Sequence, residues 1–187
     1  MDKNNLRNTY REKRNTLTTN EVLFFSKQIT NQVLQYLDNI NFKNLHIFLS
    51  IAKNNEIQTG ELINHLSTVC QLHTSITKGN ILEHVVLQEG EYTLGKWNIP
   101  IPPTPHISTN LSDIDIVFVP LLICDKNGNR IGYGKGYYDA FLAQLPKNCL
   151  KIGLNFFDPV EKVESESHDI PLDVLITPKK VHTFANN

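Results

Sequence analysis

The sequence predicts an α/β fold organised around a largely parallel sheet. Apolar runs of strand length alternate with segments of helical periodicity along the chain. The run 114-IDIVFVP-120 is apolar through its length, as a strand buried on both faces would be. A glycine-rich segment, 125-DKNGNRIGYGKGYYD-139, follows it directly. In open α/β sheets that position, the carboxyl end of a strand, is where ligands collect.

The elements follow in order. Residues 2–17 form a first helix, with Asp2 as a possible N-cap and Leu6, Tyr10 and Leu17 at helical spacing. A second helix opens on the capping box Thr18/Glu21 and carries the stripe Val22, Phe25, Ile29, Val33 and Leu37. A strand over 45–50 leads through the polar loop IAKNNEIQ to a helix over 59–66. The runs 69–76 and 83–88 are rich in strand formers. The proline cluster in KWNIPIPPTP excludes helix and central strand, leaving an ordered loop or covering arm. After strand 114–120 come a helix over 136–145, a strand over 150–156 and a last strand over 173–177. Tyr138, Phe141, Leu142 and Leu145 mark the inner face of that helix.

At 187 residues, 40% hydrophobic and 20% charged, the chain is most simply one globular domain, 1–187. A net charge of −1 gives no global field for nucleic acid or a membrane surface, so any anion site is local. Cys70, Cys124 and Cys149 lack metal-ligand spacing and read as buried free thiols in a reducing compartment. The seven histidines show no ligand spacing either, and most read as surface residues. With no apolar leader and no window near membrane-span length, a cytoplasmic location is expected.

Glycines let backbone N–H groups come close to an anion, and a helix opening there adds the positive end of its dipole. Arg130 and Lys135 supply full charges, and Asp139 stands one turn past Lys135, able to hold a magnesium ion shared with phosphate oxygens. The spacing is neither a Walker A loop nor a dinucleotide fingerprint, and it leaves phosphate cradle and structural turn both open. Lys3, Arg7, Arg11 and Arg14 line one face of the first helix, either a solvated face or a second phosphate contact. Glu56 is an unremarkable loop acid or, in a pocket, a two-pronged acceptor for a pterin or guanine-like ring. Trp97 is a core plug or a lid over a flat ligand. Asp169 and its rival Asp173 precede the last strand.

The stretch GNRIGYGKGYYDAFL closely resembles the signature of the 5-formyltetrahydrofolate cyclo-ligase family. KNNLR, FLS, NEIQT, WNIP, DIVFVP and the late HD stand in the family's order. The resemblance implies a single three-layer α/β/α domain with a mostly parallel sheet, of the sugar-isomerase/CoA-transferase-like type. It implies ATP- and Mg2+-dependent closure of 5-formyltetrahydrofolate to 5,10-methenyltetrahydrofolate by a monomer, with no nucleic-acid or membrane partner. By resemblance, Lys3, Arg7, Arg130, Gly132, Tyr133, Gly134, Lys135, Gly136, Tyr137 and Tyr138 contact ATP. Arg130 and Lys135 are the catalytic pair, and Asp139 and Asp169 the metal ligands. Leu49, Glu56, Trp97, Tyr133 and Tyr137 border the folate. The rival expectation is a catalytically silent nucleotide-binding protein of the same fold.

Overall fold

The computed structural model describes residues 2–78, 81–87, 93–94, 100–101, 106–107, 110–166 and 168–184. The elements run α1 (Lys3–Asn15), α2 (Thr19–Leu37), β1 (Asn44–His46), α3 (Gly60–Leu66), β2 (Gln71–Lys78) and β3 (Ile81–Val86). Then come β4 (Thr93–Leu94), β5 (Pro100–Ile101), β6 (His106–Ile107), β7 (Ile116–Pro120), β8 (Ile123–Cys124) and β9 (Arg130–Ile131). The chain closes with α4 (Tyr137–Leu142), β10 (Leu150–Leu154), β11 (Val174–Ile176) and β12 (Val181–Thr183).

The main sheet has the order β12-β11-β10-β7-β1-β2-β3-β6. Its five inner strands, β11 to β2, are mutually parallel, and the outer pairings are antiparallel. The chain builds outward from β1 in both directions, β2 on one flank and β7 on the other. That reversal opens a crevice at the carboxyl ends of β1 and β7, the switch point at which such sheets bind ligands.

Both faces of the sheet are covered, which explains the unbroken apolar run of β7. Ile116 and Phe118 join one core cluster with Ile29, Val33 and Leu37 of α2 and Leu62 and Leu66 of α3. Val117 and Val119, pointing the other way, join Phe141 and Leu142 of α4. Burying each such side chain contributes roughly 1.5–3 kcal/mol. The layers are therefore α2/α3, sheet, α4, the three-layer arrangement expected. A third cluster, Leu6 with Ile123, Ile131 and Val163, seats α1 on the small β8–β9 hairpin.

Local signals acted much as read. Thr18 and Glu21 form the complete capping box. Asp2 sits at the N-cap of α1, but its side chain makes no capping bond. Four readings need correction. The strand expected over 45–50 ends at His46, since Phe48 to Ser50 leave the ladder to build a loop. The helix expected over 136–145 spans only Tyr137–Leu142, entered through Gly136 at φ 67°. His46, His73 and His84 are buried rather than superficial, stacked with ring centroids 4.6–5.7 Å apart. Cys124 and Cys149 are buried free thiols as expected, but Cys70 is only half-buried. Trp97 and most of the proline arm lie outside the described residues. Among those residues no helix is long and apolar enough to cross a membrane.

Candidate active site

The glycine-rich segment divides in two. Its first half is a structural turn built on Asp125, which is fully buried. One Asp125 oxygen accepts from the amides of Asn127 and Asn129 at 2.9 Å each; the other accepts from Val163 N at 3.1 Å. Gly128 at φ 85° completes the turn, where a Cβ would meet the carbonyl of Leu172 at 2.5 Å. The second half, Gly132 to Gly136, is the open part, with Gly134 and Gly136 both in the left-handed region. The structural-turn reading thus holds for the first half, and the phosphate reading concerns the second.

The basic face of α1 lies against that open half. Arg7 Nε donates to the carbonyl of Gly132 at 3.1 Å. Its guanidinium occupies the space beside Gly134 that a Cβ would need, 3.0 Å from the ideal position. Lys3 Nζ reaches the late loop instead, 2.9 Å from Glu166 and 2.8 Å from Asp169. Burial works against its charge, but the bonds to these two carboxylates prevail and raise its pKa.

Glu56 is the buried acid of the site, 4% exposed. The loop that carries it is tied to itself and to two helices. Ser50 Oγ donates to Ile57 O at 2.6 Å, and Thr59 Oγ1 to Phe48 O at 3.0 Å. Ser26 of α2 accepts from Gln58 N at 2.9 Å. Asn55, at φ 48°, donates its amide to the carbonyls of Arg14 and Leu17 at the end of α1. The carboxylate accepts from Ile51 N at 2.8 Å and from the Tyr133 hydroxyl. Burial raises the pKa of Glu56, opposed by the bonds from Tyr133 and Ile51 and by the charge of Arg14. Burial and the facing Glu56 push the Tyr133 phenol well above its ordinary range. Phe48, Ile57, Pro120, Leu154 and Phe156 complete a cavity of about 10 Å³ beside these groups.

At the far side of the glycine loop, Arg130 Nη2 is 2.7 Å from Asp139 Oδ1, and its Nη1 donates to Ile170 O. Asp139 Oδ1 also accepts from Ile170 N at 3.4 Å. The neighbouring Asp169 accepts through Oδ2, from Lys3 Nζ and Glu166 N. Burial pushes the Asp169 pKa up, but the bond from Lys3, then the Glu166 amide and the Lys3 charge, bring it below its ordinary value. Both acids therefore stand on one rim, each engaged in these bonds through a single oxygen. Asp173 is a structural acid, held to Lys151 N at 2.7 Å and Lys151 Nζ at 2.8 Å.

The donor set fits Mg2+, which takes one or two carboxylates and fills its remaining positions with phosphate oxygens or water. Among the described residues no cluster of three His, Cys, Asp or Glu side chains could hold a metal alone. A cation at Asp139 and Asp169 would accordingly share its coordination with a ligand.

Lys135 is exposed, its ammonium 5.8 Å from the Tyr137 ring centroid. Leu49 is half-buried against the core, whereas its neighbour Phe48 lines the cavity. Tyr138 packs against Phe141. Arg14 was legible only as part of a basic face. Yet it is 5% exposed, and its Nη2 donates to Tyr133 Oη at 2.7 Å. Its i+7 spacing from Arg7, two turns along the same face, was the available signal.

Fold and site together define an α/β protein whose sheet switch point joins a glycine-rich, cation-lined rim to a buried carboxylate. The profile of the 5-formyltetrahydrofolate cyclo-ligase family matches residues 1–178, so the chain belongs to that family and is, by that membership, a ligase. A 5-formyltetrahydrofolate cyclo-ligase of Mus musculus is 26% identical over 193 residues, covering 93% of this chain and 92% of that one. One from Mycoplasma genitalium is 42% identical, but over 67 residues, 36% of this chain and 41% of the relative. The solved 5,10-methenyltetrahydrofolate synthetase of Aquifex aeolicus superposes with a TM-score of 0.85 at 26% identity. That match covers all of this chain and 95% of the other.

Proposed function

We propose that the chain converts 5-formyltetrahydrofolate and ATP to 5,10-methenyltetrahydrofolate, ADP and phosphate. The observation that carries this reading is that Tyr133, inside the glycine cradle, donates its hydroxyl to the buried Glu56. This link supports a reading in which one loop serves both the triphosphate and a flat, N–H-bearing ring. Family membership and the relatives' names support the substrate.

The formyl oxygen attacks the γ-phosphorus, and ADP leaves with the broken P–O bond. N10 then attacks the activated carbon and loses its proton, and the carbon–oxygen bond breaks to release phosphate. The substrate supplies both reacting atoms, so the protein needs no nucleophile of its own. Its task is positioning and charge stabilisation. Lys3, Arg7, Lys135 and the backbone of Gly132 to Tyr138 line the triphosphate. Arg130 contributes its charge while holding Asp139 and the loop at Ile170 in place. Mg2+, when bound at Asp139 and Asp169, neutralises phosphate charge. Glu56 orients the pterin through its N–H groups, with Tyr133 and Tyr137 at the border between the two ligands, and Leu49 and Trp97 complete the folate side. A cytoplasmic monomer is the working form we infer.

The test is the near-UV absorbance of the methenyl product, followed from 5-formyltetrahydrofolate with and without Mg-ATP. Product that requires ATP supports the reading. Nucleotide binding with no product under any condition refutes it and leaves the silent binding protein.

A further inference from the structure

The carboxylate at the centre of the site is not held by its own loop alone. Arg14, from α1, is buried, and its Nη2 donates to the hydroxyl of Tyr133 at 2.7 Å. That hydroxyl donates in turn to Glu56 Oε1. The guanidinium carbon also lies 5.2 Å from the Tyr133 ring centroid. Arg14 Nε is buried with no hydrogen-bond partner among the described residues, and the side chain lines the same cavity as Glu56. A second link runs alongside, since the side-chain amide of Asn55, next to Glu56, donates to Arg14 O at 3.2 Å.

We propose that Arg14 is a positioning residue for the folate side of the reaction, acting through Tyr133 to hold Glu56 as an oriented carboxylate. A surface arginine on a docking helix needs none of these contacts; this one is buried against the hydroxyl that binds Glu56 and lines the same small cavity. The proposal rests on the cyclo-ligase reading, in which Glu56 receives the N–H groups of the pterin. That recognition needs an ionised acceptor, because a protonated carboxyl loses one of its two acceptor oxygens. The titratable and charged groups facing Glu56 are Arg14 from α1, Tyr133 from the glycine loop and Tyr138 from α4. Asn54 adds a hydrogen bond from the acid's own loop. Of these Arg14 is the cation, and the Tyr133 hydroxyl transmits its hold.

The test uses the full chain carrying Arg14→Met, Arg14→Lys or Tyr133→Phe. The Glu56 carboxyl is titrated by carbon NMR, its signal assigned with Glu56→Gln, and both KM values are measured between pH 5.5 and 8. In Arg14→Met, Glu56 titrates at higher pH than in the native chain. At pH 6 the KM for 5-formyltetrahydrofolate rises about tenfold, the scale of one lost charge-assisted bond, while the KM for ATP stays within about twofold. Arg14→Lys restores part of the titration shift, and Tyr133→Phe moves it in the same direction. Coincident Glu56 titrations in the native, Arg14→Met and Tyr133→Phe chains overturn the proposal, as does an equal rise in both KM values. The NMR arm needs no turnover, so an inactive native chain refutes the cyclo-ligase reading without deciding how Glu56 is held.

Discussion

Arg7 and Gly134 share one space: the guanidinium lies 3.0 Å from where a Cβ on Gly134 would stand, and Gly134 holds φ at 86°. Both facts disfavour a side chain there. Gly134→Ala should cost about 1–2 kcal/mol for the left-handed backbone alone and displace Arg7 from Gly132. Denaturant unfolding and steady-state kinetics check this. The expected outcome is a modest stability loss with an ATP KM raised about tenfold or more, the scale of a lost charge-assisted contact.

Lys135 stands free of the core, so its removal separates binding from folding. Lys135→Ala should leave thermal stability unchanged, because exposed substitutions stay within about 0.5 kcal/mol. ATP use should weaken about tenfold or more, with folate binding within about twofold. Isothermal titration with each ligand measures both, and equal losses would contradict a phosphate role.

Asp139 is paired with Arg130, whose side chain is 5% exposed against 26% for the acid. Asp139→Asn keeps an oxygen for Arg130 but removes the charge that a cation would use. The Mg2+ concentration for half-maximal rate should rise several-fold, and excess Mg2+ should recover part of the lost rate. An unchanged Mg2+ dependence would place the metal elsewhere.

The stacked histidines predict an acid-sensitive fold. Burial, aided by their mutual proximity, lowers the pKa of His46 well below 6.5 and that of His84 to about 4. Burial lowers His73 as well. Below about pH 6.5 the unfolded chain binds protons on these rings that the folded chain does not. Their neutral form therefore gives stability that is full above pH 6.5 and lost as pH falls toward 4. Each ring contributes a slope of up to about 1.4 kcal/mol per pH unit. Thermal melts from pH 7.5 to 5 should show Tm falling with pH, and His84→Phe should flatten the fall.

Much of this was legible in the chain. The stripe on α2, the capping box and the apolar run of β7 each report a single local contact pattern, and such patterns survive in linear sequence. The glycine segment stood out because its residue types are unusual, and the turn that the spacing left open is the one Asp125 builds. Arg14 and the histidine stack were not legible, since their roles arise where separate elements meet. Ring stacking across β1, β2 and β3 has no spacing in the chain, and a buried arginine looks like its solvated neighbours until Tyr133 lies beneath it. The length of α4 escaped for another reason. Helical periodicity runs on to Leu145, but a left-handed Gly136 and the turn before Pro146 confine the helix to six residues.

The central claim is that the formyl oxygen is phosphorylated and leaves as phosphate. The direct measurement is turnover of 5-formyltetrahydrofolate labelled with oxygen-18 in the formyl group, with ADP, methenyl product and phosphate quantified together. Equal amounts of all three are expected, with the label carried into the phosphate. Label appearing in water, or methenyl product formed without matching ADP, would contradict it.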